Sequence, residues 1–208
     1  MTASAIQPKI ALESTEWLEY RAFHAELNDL PRVLLIGVSI SGGYFPGVAE
    51  GLEGQAYVTR LGSSKPVSLP AYFDEVRLAL SQHAYAIIHF NNGLHGWDYS
   101  EDEYARGLSK LVEHLQSNTP QAKLIWASST QMRIGAPDFT EFEPRNERVK
   151  ARNQIAARQM EEVGIPINDL YSLMEPRHAL LCDGVHYQPE GNALLTAQVL
   201  AHLRPALG

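Results

Sequence analysis

The stretch Arg32-Val33-Leu34-Leu35-Ile36-Gly37-Val38-Ser39-Ile40-Ser41 decides how this chain is read. An apolar run of strand length ends in Gly-x-Ser, where the glycine permits a tight turn and leaves the serine side chain exposed. Further short apolar runs follow at residues 55–60, 85–90, 123–127 and 165–168, after the first at 32–36. Helical patterns lie between them at 43–51, 70–82, 101–116 and 145–163, with a last one at 189–203. Tyr104, Leu108, Leu111 and Leu115 form one apolar stripe, as do Leu195, Val199 and Leu203, and Pro189 suits a first helical turn. This alternation predicts an α/β fold with a parallel sheet covered by helices on both faces. A short helix is expected over 15–27, within an N-terminal helical extension at 1–30, and residues 1–208 are expected to form a single domain. Residues 128–144, with Gly135, Pro137 and Pro144, read as a long irregular loop that walls a site.

The composition is that of a globular protein, with 45% hydrophobic and 20% charged residues. A net charge of −7 without a basic stretch argues against nucleic acid as a partner, because such affinity rests on cationic contacts to phosphate. The single Cys182 can build neither an intrachain disulfide nor a cysteine zinc site. Residues 1–14 lack the basic-then-apolar pattern of a secretory signal, and no apolar run reaches 18 residues. A soluble, cytoplasmic protein without a membrane span is the expectation.

The chemistry-bearing candidates converge on one sheet edge. In open α/β sheets ligands bind outside the carboxyl ends of the strands. Ser39 follows the first strand, Gly62 the second and Asn91 the third, while Asp183-Gly184-Val185-His186 precedes the last helix. A serine hydroxyl needs a histidine to take its proton, and the imidazole needs a partner to fix its tautomer. The two-residue spacing of Asp183 and His186 lets one loop present both groups. Ser41 competes with Ser39 as nucleophile or as helix cap. Asn91-Asn92-Gly93 is a turn signal or a source of an amide donor for an oxyanion, and Gly62 could offer a backbone N–H to it. Trp97 and Tyr99 could line a pocket, and Arg133 is a candidate substrate contact. His89 and His95 have no carboxylates beside them and make no metal site.

These motifs, from Arg32 to Leu203, resemble the SGNH hydrolases, also called the GDSL esterase/lipase family. The segment His89-Phe90-Asn91-Asn92-Gly93-Leu94-His95 looks like a bacterial branch of it. The resemblance implies a flavodoxin-like, three-layer α/β/α fold with a five-stranded parallel sheet. It implies Ser39 as nucleophile, His186 as base and Asp183 as its orienting partner. Gly62 N–H, the Asn91 side chain and Ser39 N–H would form the oxyanion hole. The expected activity is hydrolysis of small-molecule carboxylic esters without a cofactor, acetyl groups first, with acylated carbohydrates among the substrates. Three positions depart from the pattern: Val38 stands where the family has Asp, Asn91-Asn92 where it has Asn-Asp, and Ser64 competes with Gly62 for the second motif. The rival expectations are a lipase or thioesterase, a carbohydrate-binding protein weakened at Val38, and a nucleotide binder. The last lacks a Gly-rich phosphate loop.

Overall fold

The computed structural model describes residues 12–208. Six strands form the main sheet in the order β1-β3-β2-β4-β5-β8. These are β1 (Leu18–Ala22), β2 (Arg32–Gly37), β3 (Tyr57–Ser63), β4 (Ile87–Phe90), β5 (Lys123–Ala127) and β8 (Ile167–Asn168). All neighbours run parallel except β1, which pairs antiparallel with β3. The expected five-stranded parallel sheet therefore carries a sixth, antiparallel edge strand.

That strand lies where the sequence suggested a helix over 15–27. The correction has a physical reason. Leu18–Ala22 turns alternate side chains to opposite faces, with Tyr20 and Ala22 half-buried and Glu19 and Arg21 exposed. Its backbone is satisfied by a full register against β3, from Leu18 opposite Ser63 to Ala22 opposite Thr59. Long-range pairing outweighs weak local helical preference, and charged residues suit an exposed edge. Of the expected extension at 1–30, residues 1–11 lie outside the described residues.

The central strand shows why both faces are covered. Val33 and Leu35 of β2 pack into one apolar cluster, Leu34 and Ile36 into another, following the two-residue period of a strand. The first cluster receives α1 (Ser39–Gly51) and α6 (Pro189–Leu207). The second receives α2 (Pro70–Gln82), α3 (Glu101–Asn118) and much of α4 (Asn146–Val163). The result is a three-layer α/β/α sandwich. α1 lies close on α6, because β-carbons at Gly43, Gly47 and Gly51 would run into Asn192, Thr196 and Leu200 at the same spacing of four.

The expected long loop contains a small hairpin, β6 (Arg133–Ile134) with β7 (Glu141–Phe142). After β8 come α5 (Leu170–Met174), a 3₁₀ turn at Glu175–Leu180 and the loop that leads into α6.

Candidate active site

Ser39 is the first residue of α1, and Val38 before it is extended, so the chain passes from strand to helix at this point. Helix first-turn N–H groups have no intrahelical acceptor, so the Ser39 N–H stands at the positive end of α1. The turn is anchored through the Val38 carbonyl. It accepts from Ser41 N at 3.1 Å, Ser41 Oγ at 2.7 Å and Arg60 Nη2 at 3.2 Å. The Val38 side chain itself is buried in the core.

The other half of the site holds itself together. Leu181 and Tyr187 form an isolated antiparallel bridge, and Cys182 N–H donates to His186 O at 2.9 Å. Within the loop, Asp183 Oδ1 accepts from the Val185 and His186 N–H groups, each at 2.7 Å. Asp183 Oδ2 meets His186 Nδ1 at 2.8 Å, which makes Nδ1 the protonated nitrogen and frees Nε2 as an acceptor. His186 Nε2 lies 2.7 Å from Ser39 Oγ, across 147 residues of sequence. Burial acts to raise the Asp183 pKa, but the bonds from His186 and Val185 prevail and hold it below the ordinary carboxylate value.

Arg133 serves this loop from behind. Its N–H donates to Gly184 O at 2.8 Å. A β-carbon on Gly184 would lie 2.2 Å from the Arg133 carbonyl oxygen, so only glycine permits the approach. The Arg133 guanidinium is buried and donates to Gln131 Oε1, Thr140 O and Glu175 O. It stacks over Phe142 at 3.8 Å from the ring centroid. The guanidinium, expected from the sequence as a substrate contact, ties the hairpin to the turn after α5 and does not line the cavity that contains Ser39.

The two residues expected in an oxyanion hole are likewise held by other partners. Both hydrogens of the Asn91 amide are spent, on Ala127 O at 2.7 Å and Ser129 Oγ at 3.1 Å. An amide so engaged fixes the end of β4 and has no hydrogen left for an oxyanion. Gly62 lies inside β3, paired with Gly37 and Glu19. A β-carbon there would meet the Arg60 guanidinium at 2.3 Å, so the glycine makes room for an arginine. Asn92 braces the next loop, accepting from Val67 N–H and donating to Lys65 O. Ser64 N–H and Oγ are both engaged with the Glu16–Trp17 segment. Ser41 is buried and donates to Val38 O, so the nearby serine serves the turn.

A cavity of about 510 Å³ opens over Ser39 and His186, lined also by Leu94, Trp97, Met132 and Arg145. Trp97 lies on its wall. Arg145, Arg148 and Arg152 lie 5.3, 5.7 and 4.7 Å from its ring centroid. Glu13 and Ser14 close one side of the mouth, with Glu13 Oε1 2.6 Å from His95 Nδ1. Sequence reasoning gave no role to Leu94, although it lies within the 89–95 segment, and missed Met132 and Arg145, which carry no motif; the three become neighbours only in the fold. Larger clefts of about 820 and 770 Å³ lie elsewhere, but neither contains a paired nucleophile and base. Chemistry, more than size, picks the site.

Among the described residues no group of three or more His, Cys, Asp and Glu side chains is placed to hold a metal ion. None of their helices is long and apolar enough to cross a membrane.

Residues 84–199 match the family model described as GDSL-like lipase/acylhydrolase. No curated protein sequence matches the chain. Among solved structures, a GDSL-like lipase from Bacteroides thetaiotaomicron superposes with a TM-score of 0.68 at 18% identity, covering 84% of this chain and 88% of its own. The aryl esterase of M. smegmatis gives 0.70 at 15% identity, covering 85% and 99%. A variant of an acetyl-xylooligosaccharide esterase from Geobacillus gives 0.66 at 18% identity, covering 86% and 94%. At such identities these structures share the fold.

Proposed function

The chain belongs to the GDSL-like lipase/acylhydrolase family, and we propose that it is a serine esterase working through Ser39, His186 and Asp183. The observation that carries this reading is the chain of contacts from Ser39 Oγ to His186 Nε2 at 2.7 Å and from His186 Nδ1 to Asp183 Oδ2 at 2.8 Å, facing an open cavity. His186 takes the serine proton as Oγ attacks the ester carbonyl, and Asp183 stabilises the imidazolium that forms. The Ser39 N–H, at the positive end of α1, donates to the developing oxyanion. The protonated imidazole then delivers its proton to the departing alkoxide, leaving an acyl-enzyme. Water, deprotonated by the same imidazole, attacks that acyl group and regenerates the serine.

A short acyl group such as acetyl is the expected cargo, on an alcohol that includes carbohydrates. Trp97, Arg145 and Asp98 line the cavity and offer a sugar ring an aromatic neighbour and polar contacts. Esterases acting on acetylated oligosaccharides share the fold. The test pairs p-nitrophenyl esters of increasing chain length and acetylated sugars with fluorophosphonate labelling. Wild-type protein should turn over the acetyl ester fastest and label at Ser39. Failure to label at all would remove the esterase reading.

A further inference from the structure

We propose that Arg60 is a positioning residue for this reaction, acting through the peptide group that joins Val38 to Ser39; the inference rests on Ser39 being the nucleophile. The Val38 carbonyl and the Ser39 N–H are two ends of one planar, conjugated unit. Three donors converge on the carbonyl end: Arg60 Nη2, Ser41 N and Ser41 Oγ. Together they fix the peptide plane and therefore the direction of the N–H that meets the oxyanion. A cationic donor does more than orient. It draws electron density toward the carbonyl oxygen and leaves the N–H a stronger donor, by on the order of 10–30% per bond in cooperative chains.

The surroundings are built for a guanidinium. Arg60 is only 1% exposed, and among the described residues its fork meets this turn and one carboxylate. Nε donates to Ser41 Oγ at 2.9 Å, and Nη1 to Glu19 Oε2 at 2.6 Å. Gly62 and Gly42 leave the space it occupies, since β-carbons there would lie 2.3 and 3.3 Å from Nη2. The counter-charge arrives from β1, so the antiparallel edge strand has a part in the site although it lines none of the cavity. A lysine could not reproduce this, because one ammonium cannot fork to three partners in a plane.

Arg60→Met keeps much of the volume while removing the charge, and the Glu19 carboxylate that it leaves unpaired is half-exposed and stays solvated. Its kcat on a p-nitrophenyl ester should fall about 10–100-fold, less than loss of a whole oxyanion donor. KM should stay within about twofold, because the carbonyl group gains its charge only in the transition state. Labelling of Ser39 by a fluorophosphonate should slow in parallel. Added guanidinium should restore part of the rate in Arg60→Ala, which a merely structural role would not allow. Glu19→Gln, on a half-exposed side chain, should fold as the wild type does and lower kcat a few-fold. Wild-type protein that neither turns over ester nor labels would sink the Ser39 assignment itself. A reactive wild type with unchanged kcat in folded Arg60→Met would overturn the role of Arg60 and leave Ser39 standing. If that variant fails to fold, unchanged kcat in Glu19→Gln overturns it instead.

Discussion

The turn that carries Ser39 and the loop that carries His186 meet at 2.7 Å but are held in different ways. Around Ser39 two of the holding groups are remote in sequence, buried Arg60 on β3 and half-exposed Glu19 on β1, and buried Ser41 on α1 completes the set. Around His186 they are local. The Asp183 and His186 side chains are 56% and 45% exposed, and the loop is kept in shape mainly by the hydrogen bonds that Asp183 accepts. Ser39 is thus fixed by the fold, while His186 is fixed by four residues and one close approach to Arg133. The first arrangement resists local change, and the second depends on each of its few contacts.

The variants that sharpen this contrast run from the nucleophile outward. Ser39→Ala should reduce ester turnover by about 10⁴-fold or more while leaving the thermal midpoint nearly unchanged, because the turn is anchored by groups other than the hydroxyl. Residual turnover close to wild type, measured on purified protein, would break the comparison at its root. Asp183→Asn should lower kcat about 10³-fold, since it removes the acceptor that fixes the imidazole tautomer. The half-exposed position makes this milder than loss of a fully buried partner. Gly184→Ala must displace the loop from the Arg133 carbonyl. A misplacement of about 1 Å should lower kcat about 10²-fold with little loss of global stability. If the loop were instead an integral part of the core, the same change would lower the unfolding midpoint as much as the rate.

Acid separates the two regions by pH window. His89 lies in the sheet beneath Tyr44 of α1, and burial first, then the charge of His202, pushes its pKa from 6.5 to about 3. Unfolded chains take up that proton near the ordinary value and the native protein does not. Stability therefore falls as pH drops from about 6.5 toward 3, with a slope of up to about 1.4 kcal/mol per pH unit. Asp183 is displaced in the same direction, below its ordinary value of 3.8, because the bonds from His186 and Val185 outweigh its burial. Its contribution is intact above that value and is lost only as pH falls through the lower native one. Urea midpoints of His89→Gln measured from pH 7 to 4 should decline less steeply than those of the wild type. An identical decline in both proteins would show that His89 carries none of the acid response.

Much of the site was legible because its signals are local. Asp183-Gly184-Val185-His186 folds on itself, and Gly-x-Ser marks a strand end whatever lies around it. The apolar stripe of α3 and the continuous run of β2 announce burial directly, since their periods of 3.6 and 2 survive in any context. The residues whose surroundings the sequence does not reveal are those with remote partners. Arg133 has the look of a surface cation until its three acceptors, two of them main-chain oxygens, are known. Asn91 looks like a free amide until β5 and Ser129 take both of its hydrogens. Leu18–Ala22 lacks a strand pattern strong enough to outweigh a helical one, and its pairing energy resides in β3.

The sequence by itself determined the alternation of strand and helix, the edge at which Ser39, Asp183 and His186 gather, and the pairing of Asp183 with His186 within one loop. Those follow from periodicity and from contacts spanning only a few residues. The sixth strand, the burial of Arg60 and its counter-charge, and the 2.7 Å approach across 147 residues were decided by tertiary structure alone. Their physical reason is common: a hydrogen bond between groups remote in the chain adds nothing to the local preference of either segment, and exists only once the core has brought them together.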